Sequence, residues 1–524
     1  MKKLSVFALV AALLTGACGL SGVSGTINYD EVTVNLTNTL YISRDVVAGA
    51  ALEGEDDFNT SCSNPLAAVG EGTDVAGFLT DVVLDAYQED FGVVHLCAGT
   101  YETDEIIQFP NLGSITIEGD GMDETIIRGI GADHALLAMV PADCLPQVGE
   151  DLCPSYFNVL TLKDLTLADG VGDTDGFVLE DFVLEDEEAS DVLFSTGGAV
   201  TAPRVATERV RFSNNSAPCG GAISLYGWAQ LITENIGEGE SDEVEYLSSL
   251  ILPGTSQIID TEFIENSAEV GGAIGGAYFD GEEVGEGLYG CVNTGPLNIV
   301  NSTFEGNSTN LDSVSGVSVG GAIATASLIF FFLELVGGGG DEEDVVELFN
   351  QDVWLSISSS TFTDNYAAAA GGAVFSYAKT SISRTTFTNN GVDSLDEGST
   401  GGAIVVAGEL SLSYSKLVGN SASAGGAVAL IDVMGGGHVF TRNTFTSNVA
   451  TDQGGAISGW TDAGSARGNR FTSNRAPLGS AVAVETETCS RTWSRRAARD
   501  WRGNTFRQNR GGRLPVECYV GGQG

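Results

Sequence analysis

Phe212-Ser213-Asn214-Asn215-Ser216-Ala217-Pro218-Cys219-Gly220-Gly221-Ala222-Ile223 is a phrase that this chain repeats. Reduced to its fixed positions it reads Phe-x-x-Asn, a few small or polar residues, then Gly-Gly-Ala and Ile or Val. Further copies carry Phe263 and Asn266, Phe304 and Asn307, Phe362 and Asn365, Phe387 and Asn390, and Phe445 and Asn448. One copy, at Asn420, has Leu417 in the Phe place. Two late copies, Phe471/Asn474 and Phe506/Asn509, lose the Gly-Gly-Ala spelling. A half-copy, Gly197-Gly198-Ala199-Val200, precedes the series.

Where copies follow one another directly, Phe returns after about 25–30 residues, the range of solenoid repeats. Each unit holds two strand-like pieces. One runs into the Phe, as in Ser381-Ile382-Ser383-Arg384-Thr385-Thr386-Phe387, which alternates and is rich in β-branched residues. The other is Gly-Gly-Ala-Ile/Val and its neighbours. No sustained helical period separates the copies. The expected fold is all-β, a single-stranded right-handed parallel β-helix with an N-terminal cap and lateral loop insertions. In it the Phe residues stack coil on coil in a dry core. The Asn residues sit at a turn, where Asn tolerates the left-handed region and stacked amides bond one another. The Gly pair supplies a corner too tight for a Cβ.

The chain has 524 residues, 43% hydrophobic, with 70 Gly and 11 Pro, a mix suited to a turn-dense solenoid. Its net charge is −48, from 71 acidic and 23 basic residues, a surface expected to repel nucleic acid and acidic polysaccharide unless cations intervene. The charge is unevenly spread. From Thr461 onward eleven Arg face five acidic residues, and Trp493 and Trp501 lie among them. This basic end is expected either to cap the last coil or to grip an anionic glycan, lipopolysaccharide or another copy's acidic loops.

The order of segments follows from the same reading. Residues 1–17 join Met1-Lys2-Lys3 to the apolar run Leu4–Leu14, a signal-peptide pattern. Residues 18–60 are a lead-in, 61–195 the cap and first coils, 196–515 the repeat helix, and 465–524 the Arg-rich end. Residues 73–88 place apolar side chains at helical spacing and are expected to cap the open end of the stack. The three early coils are overlong between the Gly-Gly-Ala strand and the next Phe strand, at about 227–255, 280–296 and 327–353. These excesses are acidic, and insertions at equivalent points of successive coils must leave on one side of a solenoid.

Of the nine Cys, eight follow residue 18, an even count expected to form disulfides in an exported chain; Cys144–Cys153 and Cys489–Cys518 are the local candidates. No Cys/His zinc spacing is present. No cofactor is called for; Asp169, Asp173 and Asp175 form an acidic turn with hard oxygens that could take calcium. Hydrolase chemistry needs two carboxylates across a glycosidic bond, and here the carboxylates gather in insertions rather than at a repeated strand position. His95 sits within a strand and reads as structural, and no nucleophile elbow or phosphate loop is found.

Three resemblances extend this reading. Leu14-Thr15-Gly16-Ala17-Cys18 resembles the lipobox of bacterial lipoproteins, which implies cleavage before Cys18 and lipid attachment to it; Gly19 after it implies the outer membrane of a Gram-negative-type bacterium rather than the inner. Gly99-Thr100-Tyr101 and Ile115-Thr116-Ile117-Glu118-Gly119 resemble the opening coils of pectin-lyase-like β-helix proteins. The Phe-x-x-Asn and Gly-Gly-Ala-Ile/Val pairing, over roughly 195–515, is similar to the repeats of chlamydial polymorphic membrane proteins. That resemblance implies surface display and adhesion, with a glycan or a host or neighbouring cell surface as partner and a lipid anchor holding the chain to the membrane. The alternatives are secretion in place of anchoring, a polysaccharide lyase or glycoside hydrolase working along the stack, and a spacer without a ligand.

Overall fold

A computed structural model describes residues 38–43, 61–68, 74–88, 91–131, 134–140, 158–172, 197–225, 254–276, 295–309, 318–326, 354–392, 399–431, 437–460, 464–486 and 501–520, apart from isolated positions, together with short strands between them. Cys18, Cys144, Cys153, Asp173, Asp175 and most of the acidic insertions lie outside the described residues. The chain winds as a right-handed parallel β-helix, the hand that parallel crossovers take.

One coil shows the plan. Leu355–Ser358 forms a first face and Thr361–Thr363 a second; Tyr366–Ala367 is the third and Val374–Tyr377 the fourth. Each strand pairs in parallel with its counterpart in the next coil, at a rise of about 4.8 Å. Thus Phe304 pairs with Phe362, Phe362 with Phe387, and Phe387 with Leu417. Faces one and two share one 23-stranded sheet because the long strands Leu160–Ala168 and Val205–Ser213 run through both. The third and fourth faces are sheets of 9 and 12 strands.

The core follows from alternation. In Thr361-Phe362-Thr363 the Phe points in and both Thr point out. Phe212, Phe263, Phe304, Phe362 and Phe387 stack with centroids 4.6–4.9 Å apart and rings within 11° of parallel. The column resumes at Phe445, Phe471 and Phe506. At the gap, Leu417 is fully buried, and Phe440, on the neighbouring face where other coils hold Ile382 or Leu412, brings its ring 6.2 Å from Phe445.

The corners divide the work between the two Gly residues. Gly371 sits at φ 65°, in the left-handed region. Gly372 is needed for space: a Cβ there would stand 2.2 Å from the carbonyl oxygen of Gly402 one coil on.

The Asn residues form an unbroken ladder. Asn215, Asn266, Asn307, Asn365, Asn390, Asn420, Asn448 and Asn474 each donate from Nδ2 to the next Oδ1 at 2.9–3.1 Å, ending at Asn509. Each ladder Oδ1 after the first also accepts the backbone N–H of the preceding Asn, as Asn390 does from Asn365 at 3.0 Å. The left-handed residue is not the ladder Asn, as its turn chemistry suggests, but the one before it: Asn214, Glu265, Asp364, Asn389, Ser447, Ser473 and Gln508 all have φ between 54° and 59°. The ladder Asn itself turns inward, because its amide is worth more as a buried fourfold bonding group than as a turn former.

The capping helix is Val75–Gln88, with Val75, Leu79, Val82, Val83 and Ala86 buried on the first coils. His95, half-buried in the strand Phe91–Leu96, lies 3.0 Å from both Glu118 and Asp120. At the other end Trp501 closes the core, packed edge-on against Trp460 and Phe471.

Both ends carry a disulfide. Cys489–Cys518 pairs as expected. Cys62–Cys97 is a second bridge, 35 residues apart, which spacing alone did not single out among 105 connectivities. Among the described residues, strands of the lateral excursions pair with one another. Phe177–Leu179, Val192–Phe194 and Phe279–Asp280 make an antiparallel sheet, so a segment after the third face of one coil meets the insertion from another.

Candidate binding face

The described residues favour one surface, the outer side of the first and second faces from Leu355 onward. Alternation exports every second residue of each strand, and through Thr446 the repeat puts hydroxyls at those places except Lys416, Val418 and Val439. Ser356 and Ser358 stand beside Thr361 and Thr363; Ser381 and Ser383 beside Thr386 and Thr388; then Ser411 and Ser413, and Thr441 beside Thr444 and Thr446. In-register pairing turns these into rows. Thr361 lies on Thr386 and Thr363 on Thr388, while Ser356 lies on Ser381 and Ser381 on Ser411. Neighbours in a row are one strand apart, about 4.8 Å, and rows on one face are two residues apart, about 6.7 Å.

Between the two faces runs a bend, and its outermost residue is again left-handed. Arg384, Tyr414 and Arg442 hold this place in successive coils, with φ 51–57°. An L residue forced into that region points its side chain away from the core. Tyr414 is accordingly 51% exposed. The guanidinium of Arg442 lies 5.4 Å from the centroid of the Tyr414 ring, and its Nη1 donates to the Tyr414 hydroxyl at 2.7 Å. A ridge of one ring and two guanidinium groups thus crosses a flat field of hydroxyls. Lys416 adds an exposed cation beside it.

What the face offers is hydrogen bonding in both directions, one aromatic platform and positive charge. Among the described residues of these faces and their edges from Leu355 to Arg507, the carboxylates are Asp364, at the second bend, and Glu409, directly before Leu410 and ion-paired with Lys379 at 3.4 Å. His95 and His134 lie elsewhere, and His438, in the register place of Leu410 on the first face, is buried beneath it. His95 is held above its usual titration range: burial opposes its charge, but the hydrogen bonds of Glu118 and Asp120 outweigh it.

Beneath the rows lies a feature that the repeat spells and that the Phe-x-x-Asn reading passes over. Two residues before each Phe stands Thr261, Ser302, Ser360, Thr385, Ser415 (before Leu417), Asn443, Asn469 or Asn504. These form a second buried ladder: Thr385 accepts from the N–H of Ser360, Ser415 from that of Thr385, and Asn443 from that of Ser415 at 2.9 Å. It changes from hydroxyl to amide toward the C-terminus, where Asn443 also donates to Asn469 and Asn469 to Asn504. Two ladders flank the second face, one under each bend, and hold both bends in place. The signal was a constant small polar residue at a constant offset.

The sequence-derived candidates fall into place unevenly. Asp169 ion-pairs with Arg128 at 3.1 Å, and its partners in the calcium reading lie outside the described residues. Cys62, His95 and Cys97 bring three metal-ligating atoms within 4.8 Å of one another, but the two sulfurs are bonded to each other and are not thiolates. Trp501, read as an aromatic for gripping a ligand, is buried in the terminal core and unavailable for that; Trp493 lies outside the described residues.

Comparison with known proteins gives the repeat a name. A model described as the Chlamydia polymorphic membrane protein repeat matches residues 209–226 and 444–459. The chain is therefore a parallel β-helix protein with repeats of the kind seen in chlamydial polymorphic membrane proteins. No curated protein matches it in sequence. Similar solved structures include PfbA, a surface adhesin of Streptococcus pneumoniae, at 12% identity over 86% of this chain and 90% of that one, with a TM-score of 0.35. The mannuronan C-5 epimerase AlgE4 A-module of Azotobacter vinelandii gives 12% identity, 86% and 96% coverage and a TM-score of 0.29. The catalytic domain of a GH87 α-1,3-glucanase in complex with nigerose gives 9%, 85% and 68%, and 0.31. Scores this low carry no argument about function.

Proposed function

We propose that this chain is an exported, lipid-anchored surface protein that binds carbohydrate along the first and second faces of its C-terminal coils. The observation that carries this reading is the field of in-register Ser and Thr hydroxyls crossed by Tyr414. Sugars are recognised by arrays of hydroxyl partners and by an aromatic face against the ring. A solenoid presents both on a frame that does not rearrange, which lowers the ordering cost of binding. The basic-then-apolar N-terminus ending at Cys18, the disulfides Cys62–Cys97 and Cys489–Cys518, and the repeats of membrane-protein type support export and display.

Cleavage of polysaccharide is the second reading of such a fold. The described carboxylates nearest these faces, Asp364 at the second bend and Glu409 beside Leu410, lie at opposite edges of the two faces and two coils apart, whereas hydrolysis of a glycosidic bond uses two carboxylates across one bond, and this favours binding. A glycan panel decides. Tyr414→Ala is expected to weaken binding about tenfold, since a stacked ring contributes on the order of 1.4 kcal/mol. Binding unchanged in that variant overturns the assignment of the face. Sustained release of reducing ends or unsaturated uronates overturns the non-enzymatic reading.

A further inference from the structure

The basic residues of this protein fall into two populations. In the N-terminal coils they are matched: Arg128 has Asp169, Arg209 has Asp164, Arg211 has Glu262 and Asp123, and Lys163 has Glu208. In the last coils Arg442, Arg467, Arg470, Arg475, Arg507 and Arg510 are all exposed, and none has a carboxylate within ion-pair distance among the described residues. The register then places like charges together. Arg475 pairs directly with Arg510, and Arg507 lies opposite Thr472, two residues along from Arg470. The N–H of Arg442 bonds to the carbonyl of Arg467 in the next coil. Like charges opposite one another on neighbouring strands are destabilising. In a chain of net charge −48 carboxylates were abundant, so this absence is local.

Edge protection explains only part of it. Charged residues on a terminal strand block end-to-end sheet pairing. That accounts for Arg507 and Arg510 in the last coil. Arg470 and Arg475 lie one coil in, Arg467 enters that same coil, and Arg442 lies a coil further back, where the sheet is already paired.

We infer that these arginines bind a polyanionic polysaccharide, one bearing carboxylate or sulfate on successive sugars, laid along the solenoid axis. This rests on the carbohydrate-binding reading above and names the ligand class. The rise of one coil, about 4.8 Å, is close to the advance of one pyranose unit, so acid groups on successive sugars meet guanidinium groups on successive coils. Guanidinium binds carboxylate and sulfate through two parallel N–H···O bonds. The site adjoins the faces described above: Arg442 lies against Tyr414 at the first bend, Arg470 and Arg507 are on the second face, and Arg475 and Arg510 stand on the third face just past the second bend. It is also where a polyanion meets least repulsion, because the rest of the molecule is strongly acidic.

The test uses the full chain and three probes: heparin, polygalacturonate and neutral dextran. Wild type is expected to bind one or both acidic polymers and to release them as salt rises from about 0.05 to 0.5 M, where screening shortens to a few ångströms. The triple variant Arg470→Gln/Arg475→Gln/Arg510→Gln changes only exposed side chains. It is expected to lose roughly thirtyfold or more in affinity, while Arg211→Gln, in the matched population, leaves binding unchanged. Equal affinity of the triple variant for the acidic polymers overturns the inference. So does binding of dextran as tight as that of either acid, although that result leaves the carbohydrate-binding reading standing. Failure of all three polymers, with a glycan panel also silent, removes the broader reading as well. Concentration-dependent self-association that the triple variant abolishes, without polymer binding, assigns the arginines to a second copy instead and overturns the inference.

Discussion

Truncating one ladder residue, Asn390→Ala, tests the account of what holds the coils together. Asn390 is fully buried and makes four side-chain hydrogen bonds. Its Oδ1 accepts from Asn365 N at 3.0 Å and from Asn365 Nδ2 at 2.9 Å; its Nδ2 donates to Phe362 O at 3.0 Å and Asn420 Oδ1 at 3.1 Å. Removing the amide leaves two buried donors on Asn365 without acceptors. Asn420 Oδ1 is less affected, because the backbone N–H of Asn390 still reaches it at 2.9 Å. Each buried orphan costs about 1–3 kcal/mol, so the expected loss is about 3–5 kcal/mol. The last rung gives an internal control. Asn509 accepts the same two bonds from Asn474, at 2.9 and 3.1 Å, but is half-exposed. Water can replace what Asn509→Ala removes, and its cost is expected at about 1 kcal/mol. Equilibrium urea unfolding measures both, and amide exchange at Asn365 and Asn474 localises them. In a solenoid the loss falls on the interface between two coils, so exchange at Asn365 is expected to rise well before the ends of the stack respond. Equal costs for the two variants, or less than about 1 kcal/mol for Asn390→Ala, would refute the ladder as a principal source of cohesion.

Other consequences follow from the same geometry. The raised pKa of His95 means that the folded N-terminal coils hold its proton more tightly than the unfolded chain does. That stability is complete below the ordinary histidine value of about 6.5 and fades as pH rises through the higher folded value, so the melting temperature of the cap falls as pH rises past about 6.5 in wild type and stays level in His95→Gln. Ser473→Gly relieves a left-handed residue at φ 59° and is expected to stabilise the chain by up to about 1 kcal/mol by thermal melting; a loss of similar size would show that the side chain earns its strained place. Reduction of Cys489–Cys518, which spans 29 residues, is expected to cost about 3 kcal/mol and to expose the terminal coil to protease before the central coils.

The frame was legible because a solenoid writes the same physical demand once per coil. Phe362, Asn365, Gly371 and Gly372 each answer a demand with few solutions: an aromatic stack, a fourfold-bonded amide, a positive φ, a contact with no room for a Cβ. The second ladder was written as regularly but in three letters, Ser, Thr and Asn, because a backbone N–H accepts any of their oxygens; chemical tolerance hid the pattern. The left-handed residues were harder still. Arg384, Tyr414 and Ser473 share a conformation and nothing in side-chain chemistry, since the two ladders beside them impose it. Cys62–Cys97 and the Glu118–His95–Asp120 bridge join residues whose proximity depends on coil register near the cap, where the repeat has no fixed spelling. The hydroxyl rows could be read from the outward positions once the inward ones were known, but their continuity required the register.

The two halves of the solenoid differ in what they leave bare, and the difference follows one corner. After the fourth-face strands Ile223–Leu225, Ile274–Gly276 and Ile323–Ala326 the chain departs into its acidic insertions before returning to the first face. After Val374–Tyr377 it returns within a few residues, at Thr380–Ser383. After Val482–Thr486 it departs again, now through Arg491, Arg495, Arg496 and Arg499. By sequence, then, the segment that follows the fourth face is acid-rich in the early coils, short in the middle and Arg-rich after Val482–Thr486. The short middle connections place no inserted residues next to the rows of Ser356, Ser381 and Ser411. A ligand lying along those rows toward the C-terminus moves away from negative charge and toward unmatched arginine. Axial direction is thus set by electrostatics and lateral position by the hydroxyl rows, so a bound polyanion has one favoured placement on a surface whose repeats would otherwise allow several.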